Sequence, residues 1–534
     1  MKFVMLAIKM DYKNNIKNNL NRSNYKAKIG LITGIVLFFI ILFFFPVPES
    51  FTNTFSSEIT GNNTIEIEMN LSFKSVLALL VLMIVWWVTE AIPIPATSLL
   101  PAVLLPIMQV KGITSGEIYN FNFINSLKNY AHPVIGMFLG SFLIASAFQK
   151  YELDKRATIW ILTRGKITKN TKVAILTLMY GSAFLSMWIS NTATVAIVLP
   201  IALGIIHSIK NVDVNFNSAI LLGLAWSASV GGIATIVGTP PNGIAISLLA
   251  SHNIRTIDFL DWMKIGLPFM IFFIPVIWFV LLKFFKFSDE TIIDQEYLNT
   301  LLQNIGKIKR SELIVLMLFL ITVFLWISNP FWENFLPIQF YNQIKWIDEY
   351  MIGLVGGVAL FVVPISFKKL EFVLNWKDTR NIDWGTLILF GGGLTLSDAM
   401  FKTGLAAWIA KTFLGVFGNP TTLVLLFLTV LFIVFLTEVT SNTAVTAMMV
   451  PVLIAISSTS GQDTTTLVIG AAIAASMAFM LPVATPPNAL VYGTGYVKLS
   501  DMIRVGLILE ILGWIYTISI LFVFGNLIFN IIKF

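Results

Sequence analysis

The sequence contains no cysteine, only three histidines and few charged residues of either sign. Without cysteine there are no disulfide bonds, thiolate metal ligands or cysteine nucleophiles. The histidines, His132, His207 and His252, are scattered and fit no metal-binding spacing, and there is no HExxH motif, so the sequence gives no support for a hydrolase. Because 57% of the 534 residues are apolar and only 12% are charged, a large soluble domain is also excluded.

The apolar residues form many long runs. These runs are about 18 to 25 residues long, which is the length that a helix needs to cross a bilayer. We therefore predict an all-α polytopic membrane protein with about 11 transmembrane helices plus two re-entrant hairpins, arranged in two inverted repeats.

Basic residues are concentrated in a few segments that flank the apolar runs. They cluster in residues 1–28 and 150–172, whereas residues 49–72 contain four Glu and no Lys or Arg. By the positive-inside rule, the N-terminus and the loop 150–172 are cytoplasmic and residues 49–72 are external. The predicted domains are a cytoplasmic N-terminal arm at 1–29, a first inverted repeat at 30–286 with its hairpin at about 173–208, a cytoplasmic linker at 287–310, and a second inverted repeat at 311–534 with its hairpin at about 421–459.

Two motifs recur in the same order in the two halves. SMWISNTATVAIVLP begins at Ser186 and TEVTSNTAVTAMMVP begins at Thr437, and each contains a Ser-Asn-Thr triplet. Each triplet is followed by a Thr-Pro-Pro-Asn motif, GTPPNG at 238–243 and ATPPNA at 484–489. A single triplet in an apolar run is usually a polar contact between helices. The duplicated order instead favours a transporter site built from broken helices.

The residue types in these motifs suit a cation and an anion together. Paired prolines interrupt a helix, and the carbonyl groups freed near Gly238 and Ala484 become available to a hard cation such as sodium. The helix after each triplet points its positive N-terminal end at the site, which favours an anion. Neither motif contains Lys or Arg. The compensating charge is therefore expected from co-bound cations, and this couples the two binding events.

Other features of the chain have simpler interpretations. Glu90 and Glu438 lie in apolar surroundings and are candidate proton carriers, but Glu438 can instead support the second hairpin, and Glu90 sits close to a membrane interface. The triple glycine 391–393 is typical of close helix packing. The Asn-rich segment 109–131, predicted to be external, matches no pattern that we can interpret.

The duplicated motifs, together with WWVTEAIPIPATSLLP at 86–101 and LFGGGLTLSDA at 389–399, resemble the divalent anion/sodium symporter (DASS) family of di- and tricarboxylate and sulfate carriers. The resemblance implies a scaffold domain that forms a homodimer and an elevator-type movement of a transport domain. It implies one sodium site at Ser186, Ser190, Asn191 and Gly238, and a second at Thr437, Ser441, Asn442 and Ala484. It implies a substrate site at Ser190, Asn191, Thr192, Thr239, Pro240, Ser441, Asn442, Thr443, Thr485 and Pro486.

Together, the residues and the resemblance favour a secondary active transporter, not an enzyme. We expect sodium-coupled uptake of succinate, malate or fumarate across a bacterial-type plasma membrane, with sodium, a small dianion and the lipid bilayer as partners and no nucleic acid. Sodium-coupled citrate or sulfate uptake and sodium-independent dicarboxylate exchange stay open as alternatives. The hydroxyl groups of Ser186 and Thr437 favour symport, because an exchanger can dispense with cation ligands. A channel is a further alternative, since hairpins also build pores. Saturable, coupled uptake would distinguish a carrier from a channel.

Overall fold

Helices make up nearly all of the regular structure of the protein. The predicted all-α class is confirmed, and the strands of the described residues form two antiparallel two-stranded hairpins. Much of the predicted arm at 1–29 and of the linker at 287–310 lies outside the described residues. The computed structural model describes residues 25–48, 63–164, 170–208, 214–287, 300 and 303–525.

The elements are numbered in chain order. Those up to residue 284 are α1 (Tyr25–Phe44), α2 (Asn63–Thr89), α3 (Ile94–Ser98), α4 (Leu100–Ile107), β1 (Lys111–Thr114), β2 (Glu117–Asn120), α5 (Phe123–Leu127), α6 (Pro133–Lys150), α7 (Leu153–Arg164), α8 (Thr171–Ser186), α9 (Asn191–Ser208), α10 (Val214–Ile233), α11 (Pro240–Ser251) and α12 (Phe259–Phe284). Those that follow are α13 (Arg310–Ser328), α14 (Trp332–Phe335), α15 (Ile338–Ile344), α16 (Glu349–Val362), β3 (Pro364–Ser366), β4 (Glu371–Phe372), α17 (Trp384–Lys402), α18 (Leu405–Phe417), α19 (Thr422–Thr437), α20 (Asn442–Ser460), α21 (Thr464–Ala475), α22 (Pro486–Tyr492) and α23 (Leu499–Ile520).

Many of these helices are suited to a bilayer. Eight helices of the described residues are long and apolar enough to cross a membrane, and α18 and α19, bent by 104° at their junction, pass the same test as a pair. The predicted span at 96–108 is only a short apolar stretch made of α3 and α4. The chain is therefore a multi-pass membrane protein, while the number of about 11 crossings and the inverted orientation of the repeats stay predictions.

The chain folds into two compact units, each assembled from separate segments. The first contains residues 1–130 and 388–413. In it, α1 packs along α2, with Phe38 and Leu82 in one buried cluster. The second unit contains residues 131–387 and 414–534, and it holds both pairs of duplicated motifs.

The segment 109–131, which the sequence left without interpretation, is ordered within the first unit. It forms the β1–β2 hairpin and α5, and Lys402 at the end of α17 lies over the ring of Tyr119, with Nζ 3.5 Å from the ring centroid. The same Nζ is 2.9 Å from an Asp398 carboxylate oxygen. The cation–π contact therefore attaches the hairpin to the end of α17, while the ion pair lies within α17 and holds the Lys402 side chain in place.

The triple glycine on α17 packs as predicted. A side chain at Gly391 would collide with Tyr130, and one at Gly392 would collide with the backbone of Ser98. Both neighbours belong to the first unit, so the glycines let α17 approach the segments that precede α6.

Within the second unit, α6 and α16 approach each other through glycines. A Cβ atom on Gly357 of α16 would lie 2.6 Å from the Cα of Gly140 on α6, and one on Gly140 would overlap the carbonyl oxygen of Gly353. At Gly136, one turn earlier on α6, the nearest atom to such a Cβ is a Leu354 methyl carbon at 3.6 Å, which is an ordinary contact. The two glycine positions of α6 therefore differ in the space that they offer.

This difference predicts that the same substitution has different effects on stability at the two positions. We expect Gly140→Ala to lower the thermal unfolding temperature in detergent, because overpacking at a backbone contact costs about 1–3 kcal/mol. Gly136→Ala is the matched control and should leave the unfolding temperature unchanged or slightly higher. Equal unfolding temperatures for the two variants would contradict the close α6–α16 contact.

Candidate transport site

The two Thr-Pro-Pro-Asn motifs follow breaks between helices. Residues 234–239 are not helical between α10 and α11, and residues 476–485 are not helical between α21 and α22. Both predicted breaks are thus confirmed, but the prolines have a different role from the one expected. Pro240 and Pro486 each begin a new helix, at the position where a missing amide hydrogen removes no helical bond. The breaks therefore lie before the prolines.

The Asn of each motif supplies hydrogen bonds that the break removes. The side-chain amide of Asn242 donates to Gly232 O (3.0 Å) and Thr235 O (2.7 Å). That of Asn488 donates to Ala478 O (2.9 Å) and Leu481 O (3.1 Å). The two networks use the same sequence spacing, so the repeat seen in the sequence extends to the local backbone structure.

The opposite end of each Asn amide is available for a further interaction. Oδ1 of Asn242 and Oδ1 of Asn488 are buried and have no donor among the described residues. Because the two bonds of each NH2 group hold the amide in place, these oxygens also have fixed positions. A buried acceptor without a donor is costly, so a cation or a water molecule would be stabilised beside each one.

Both Ser-Asn-Thr triplets lie at the turn of a helical hairpin, as predicted. The α8–α9 hairpin turns at residues 187–190 and the α19–α20 hairpin at residues 438–441, and α9 and α20 begin at the Asn of their triplets. The N-terminal amide groups of two long helices are therefore presented next to the triplets, which favours negative charge there. Entry and exit on one side of the membrane stay a prediction for both hairpins.

A hydroxyl group of the preceding helix is bonded to each triplet Asn. Ser186 Oγ donates to Asn191 Oδ1 at 2.7 Å, and Thr437 Oγ1 lies 2.6 Å from Asn442 Oδ1 and 2.8 Å from Ala475 O. Ser186 and Thr437 are fully buried. Each half therefore holds a hydroxyl oxygen and an amide oxygen in contact, which is a donor set suited to a hard monovalent cation.

Two glycines, Gly232 and Gly238, allow close packing between the first break and the hairpin that holds Ser186 and Asn191. A Cβ atom on Gly232 would lie 2.5 Å from Asn191 Oδ1, and one on Gly238 would lie 2.9 Å from the Cα of Gly232. Gly232, near the end of α10, therefore contacts both Asn191 of the first hairpin and Gly238 of the first break.

The two halves are interlocked within the second unit. α11, which follows the first break, packs against α20 of the second hairpin. α22, which follows the second break, packs against α9 and α10 of the first half. All four motifs consequently belong to one packed structure.

The predicted residues differ in exposure. Thr239, Ala484 and Thr485 are buried, whereas Ser190 and Thr192 are exposed. Those that are partly buried are Asn191, Pro240, Ser441, Asn442 and Thr443, and Pro486 is exposed. Ser190 and Thr192 are therefore the most exposed of the predicted hydroxyl and amide contacts.

A cavity of about 550 Å3 adjoins the first triplet. Ser190 and Thr192 line one side of it, and the junction of α6 and α7 contributes Glu152, Asp154 and Lys155. Sequence reasoning missed these three residues, because it assigned residues 150–172 only to a basic cytoplasmic loop. Nothing in the motif pattern connects that loop to the triplet, and only the packing of α7 on α9 does so.

Asp154 is the buried acid of this group. It is 2% exposed and lies in the polar helix α7, outside the helices suited to cross a membrane. Its Oδ1 accepts from the backbone N–H of Lys155 at 2.7 Å, while Oδ2 has no donor among the described residues. Burial raises the pKa of Asp154 to about 6 from its usual value of 3.8.

A raised carboxyl pKa makes the folded protein less stable when the group ionises. Stability should therefore fall as the pH rises from about 4 to about 6. We expect Asp154→Asn to remove this fall and to raise stability at neutral pH by on the order of 2 kcal/mol, because the amide keeps the oxygen acceptor without the charge. Thermal unfolding over a pH series measures the effect, with Glu333→Gln at an exposed carboxylate as the control. The same pH slope in both variants would contradict the assignment.

Comparison with known proteins identifies the family. A family model described as "Sodium:sulfate symporter transmembrane region" matches residues 66–531. The sodium-dependent dicarboxylate transporter SdcS of Staphylococcus saprophyticus is 33% identical over 513 residues, covering 93% of this chain and 91% of that protein. SdcS of Staphylococcus aureus strain COL is 32% identical over 514 residues, covering 92% and 90%.

A solved structure supports the fold separately. The crystal structure of the YdaH transporter of Alcanivorax borkumensis matches with a TM-score of 0.50 at 13% identity, covering 84% of this chain and 98% of that chain. The family model spans most of the chain, including both hairpins and both breaks. The chain therefore belongs to the sodium:sulfate symporter family, the divalent anion/sodium symporters that its motifs resemble.

Proposed function

We propose that the protein is a secondary active transporter that takes up C4-dicarboxylates, such as succinate, malate and fumarate, together with sodium. The observation that carries the proposal is the pair of hydroxyl–amide contacts, Ser186 with Asn191 and Thr437 with Asn442. They occur at equivalent points of the two halves, each beside a helix break. The names of the SdcS relatives, which are sodium-dependent dicarboxylate transporters, support the same choice.

Sodium would bind where these oxygens meet the backbone of each break. The first proposed site uses Ser186, Ser190, Asn191 and Gly238, and the second uses Thr437, Ser441, Asn442 and Ala484. Ser186 donates its hydroxyl hydrogen to Asn191, and the Thr437 hydroxyl has two acceptors within reach, Asn442 Oδ1 and Ala475 O. Rotation of each hydroxyl hydrogen away from the Asn oxygen would leave the lone pairs of both oxygens free for a cation without moving the backbone.

The dianion would bind between the two hairpins. The contacts proposed from the sequence are Ser190, Asn191, Thr192, Thr239, Pro240, Ser441, Asn442, Thr443, Thr485 and Pro486. Hydroxyl and amide groups at two helix N-termini can hold carboxylate oxygens without a buried basic residue. The sodium ions would then neutralise most of the substrate charge, so that each ligand increases the affinity for the other.

The cellular setting follows from the family likeness. We propose a homodimer in a bacterial-type plasma membrane, with the N-terminus in the cytoplasm and substrate moved by an elevator-type displacement of a transport domain. Cross-linking of the purified protein in lipid tests the dimer. A cysteine-free sequence helps here, since single cysteines can be introduced for site-specific probes without removing native ones.

A second candidate substrate is sulfate, which the description of the family model names. Sulfate and a dicarboxylate share the double negative charge, and hydroxyl and amide donors suit both. Competition by unlabelled sulfate or citrate against labelled succinate separates these choices. Uptake that requires internal dicarboxylate and ignores sodium would identify an exchanger instead.

The primary test is uptake of radiolabelled succinate into proteoliposomes. We expect accumulation with an inward sodium gradient and little uptake when potassium replaces sodium. Saturation with succinate concentration distinguishes a carrier from a channel. No succinate uptake in either cation would contradict the proposed substrate.

The second site makes a specific prediction at Thr437. We expect Thr437→Ala to raise the sodium concentration for half-maximal uptake about tenfold, because Asn442 and Ala475 lose a buried hydrogen-bond donor and sodium loses an oxygen ligand. Thr437→Ser keeps the hydroxyl and repeats the residue of the first half, so it should stay close to wild type. Expression and size-exclusion profiles of both variants provide the folding control. Unchanged sodium activation in Thr437→Ala would remove this residue from the site.

A further inference from the structure

An aromatic-rich segment, residues 329–347, connects the end of α13 to the start of α16. Six of its 19 residues are aromatic, compared with 13% of the whole chain. It contains the two short helices α14 and α15, and a hydrogen bond from Asn329 Nδ2 to Ile347 O (3.0 Å) joins its two ends. The segment is therefore a folded connection between two helices and not an extended loop.

The apolar side chains of this segment project outward. Phe335 is 81% exposed and Trp346 is 62% exposed. The same is true, to a smaller degree, of Phe331, Ile338 and Phe340. A helix of seven residues such as α15 is too short to be stable alone in water. A short helix with a contiguous exposed apolar surface indicates that something apolar covers it.

The residues of α15 fall on two opposite faces at 3.6 residues per turn. The apolar face carries Ile338, Phe340, Tyr341 and Ile344. The opposite face carries the amide side chains of Gln339, Asn342 and Gln343. A helix with this pattern can lie along a membrane surface, with its apolar face toward the acyl chains and its polar face toward water.

The exposed surface of the segment continues that of α13. Residues 310–335 form one apolar helical run of 26 residues, which passes the length and composition test for a membrane span. At 1.5 Å per residue the run is about 39 Å long, more than the roughly 30 Å of a hydrocarbon core. Leu320 and Phe324 are more than half exposed on α13, and Phe331 and Phe335 follow at helical spacing. The exposed stripe therefore leads from the bilayer core to the headgroup region, where Trp and Tyr are enriched.

We propose that residues 329–347 form an interfacial anchor that binds the lipid surface. The apolar face of α15, with the rings of Phe335 and Trp346, inserts among the headgroups and upper acyl chains of one leaflet. The segment is also tied to its flanking helices, since Trp326 Nε1 of α13 donates to Glu349 O of α16 at 2.9 Å. The anchor consequently fixes the depth of this helix pair in the bilayer. Nothing in this inference depends on which solute the protein transports.

The cysteine-free sequence allows α15 to be probed with single introduced cysteines. Nitroxide labels are attached to Phe340→Cys on the apolar face and to Gln339→Cys on the polar face, in protein reconstituted into liposomes. Both positions are exposed in the structure, so any cover that the labels report comes from outside the chain. Oxygen concentrates in acyl chains. It should relax the Phe340→Cys label more than a water-soluble nickel complex does, and this preference should reverse at Gln339→Cys.

Reference positions calibrate the measurement. Met317→Cys, in the middle of α13, supplies the lipid value, and Lys369→Cys, in the exposed turn between β3 and β4, supplies the water value. Size-exclusion profiles show which labelled variants are folded. Ile338→Cys and Asn342→Cys repeat the comparison of the two faces if a first variant fails to fold.

Each result has a defined meaning. A preference for the nickel complex on both faces of α15 would place the segment in water and overturn the proposal. A Phe340→Cys label that neither reagent reaches would mean that protein covers this face, and dipolar broadening between labels would identify a second copy of the chain as the cover. That outcome also overturns the anchor. Failure of wild-type succinate uptake would refute the proposed function alone, because the accessibility measurement needs no transport.

Discussion

Backbone groups that leave a helix inside an apolar protein must find new hydrogen-bond partners, and the second unit is built around this requirement. Each break exposes carbonyl groups, and one Asn side chain, Asn242 or Asn488, bonds to two of them. Such a break is tolerated only where the protein itself satisfies its polar groups. The Asn side chains therefore hold the polar groups of each break in defined positions.

The two halves solve the same backbone problem with different chemistry around it. Ser186 and Thr437 place equivalent hydroxyl groups against Asn191 and Asn442. At the second break, the Glu438 carboxyl group accepts a hydrogen bond from a backbone amide of the break. At the first break, the Thr235 hydroxyl donates to the carbonyl oxygen of Met187 and accepts from the backbone N–H of Gly238.

The cavity beside the first triplet brings charge to a site whose motifs have none. Lys155, Glu152 and Asp154 lie on the same cavity as Ser190 and Thr192. Lys155 and Glu152 are 3.7 Å apart and well exposed, so their interaction is weak and screened by salt. The charged residues nearest the first triplet therefore come from the junction of α6 and α7, outside the duplicated motifs.

The sequence by itself determined the membrane class, the two helical hairpins, the two breaks and the family, because apolar run length and repeated motifs are local properties of the chain. It also indicated that Glu438 supports the second hairpin region, although its bonds to the amides of Met480 and Leu481 were not visible. Only the tertiary structure decided that Asn242 and Asn488 complete the breaks and that Asp154 adjoins the first triplet. These contacts join segments that are distant in sequence, or join side chains to backbone groups that have left a helix. Spacing along the chain does not specify such contacts, because they depend on how the helices pack.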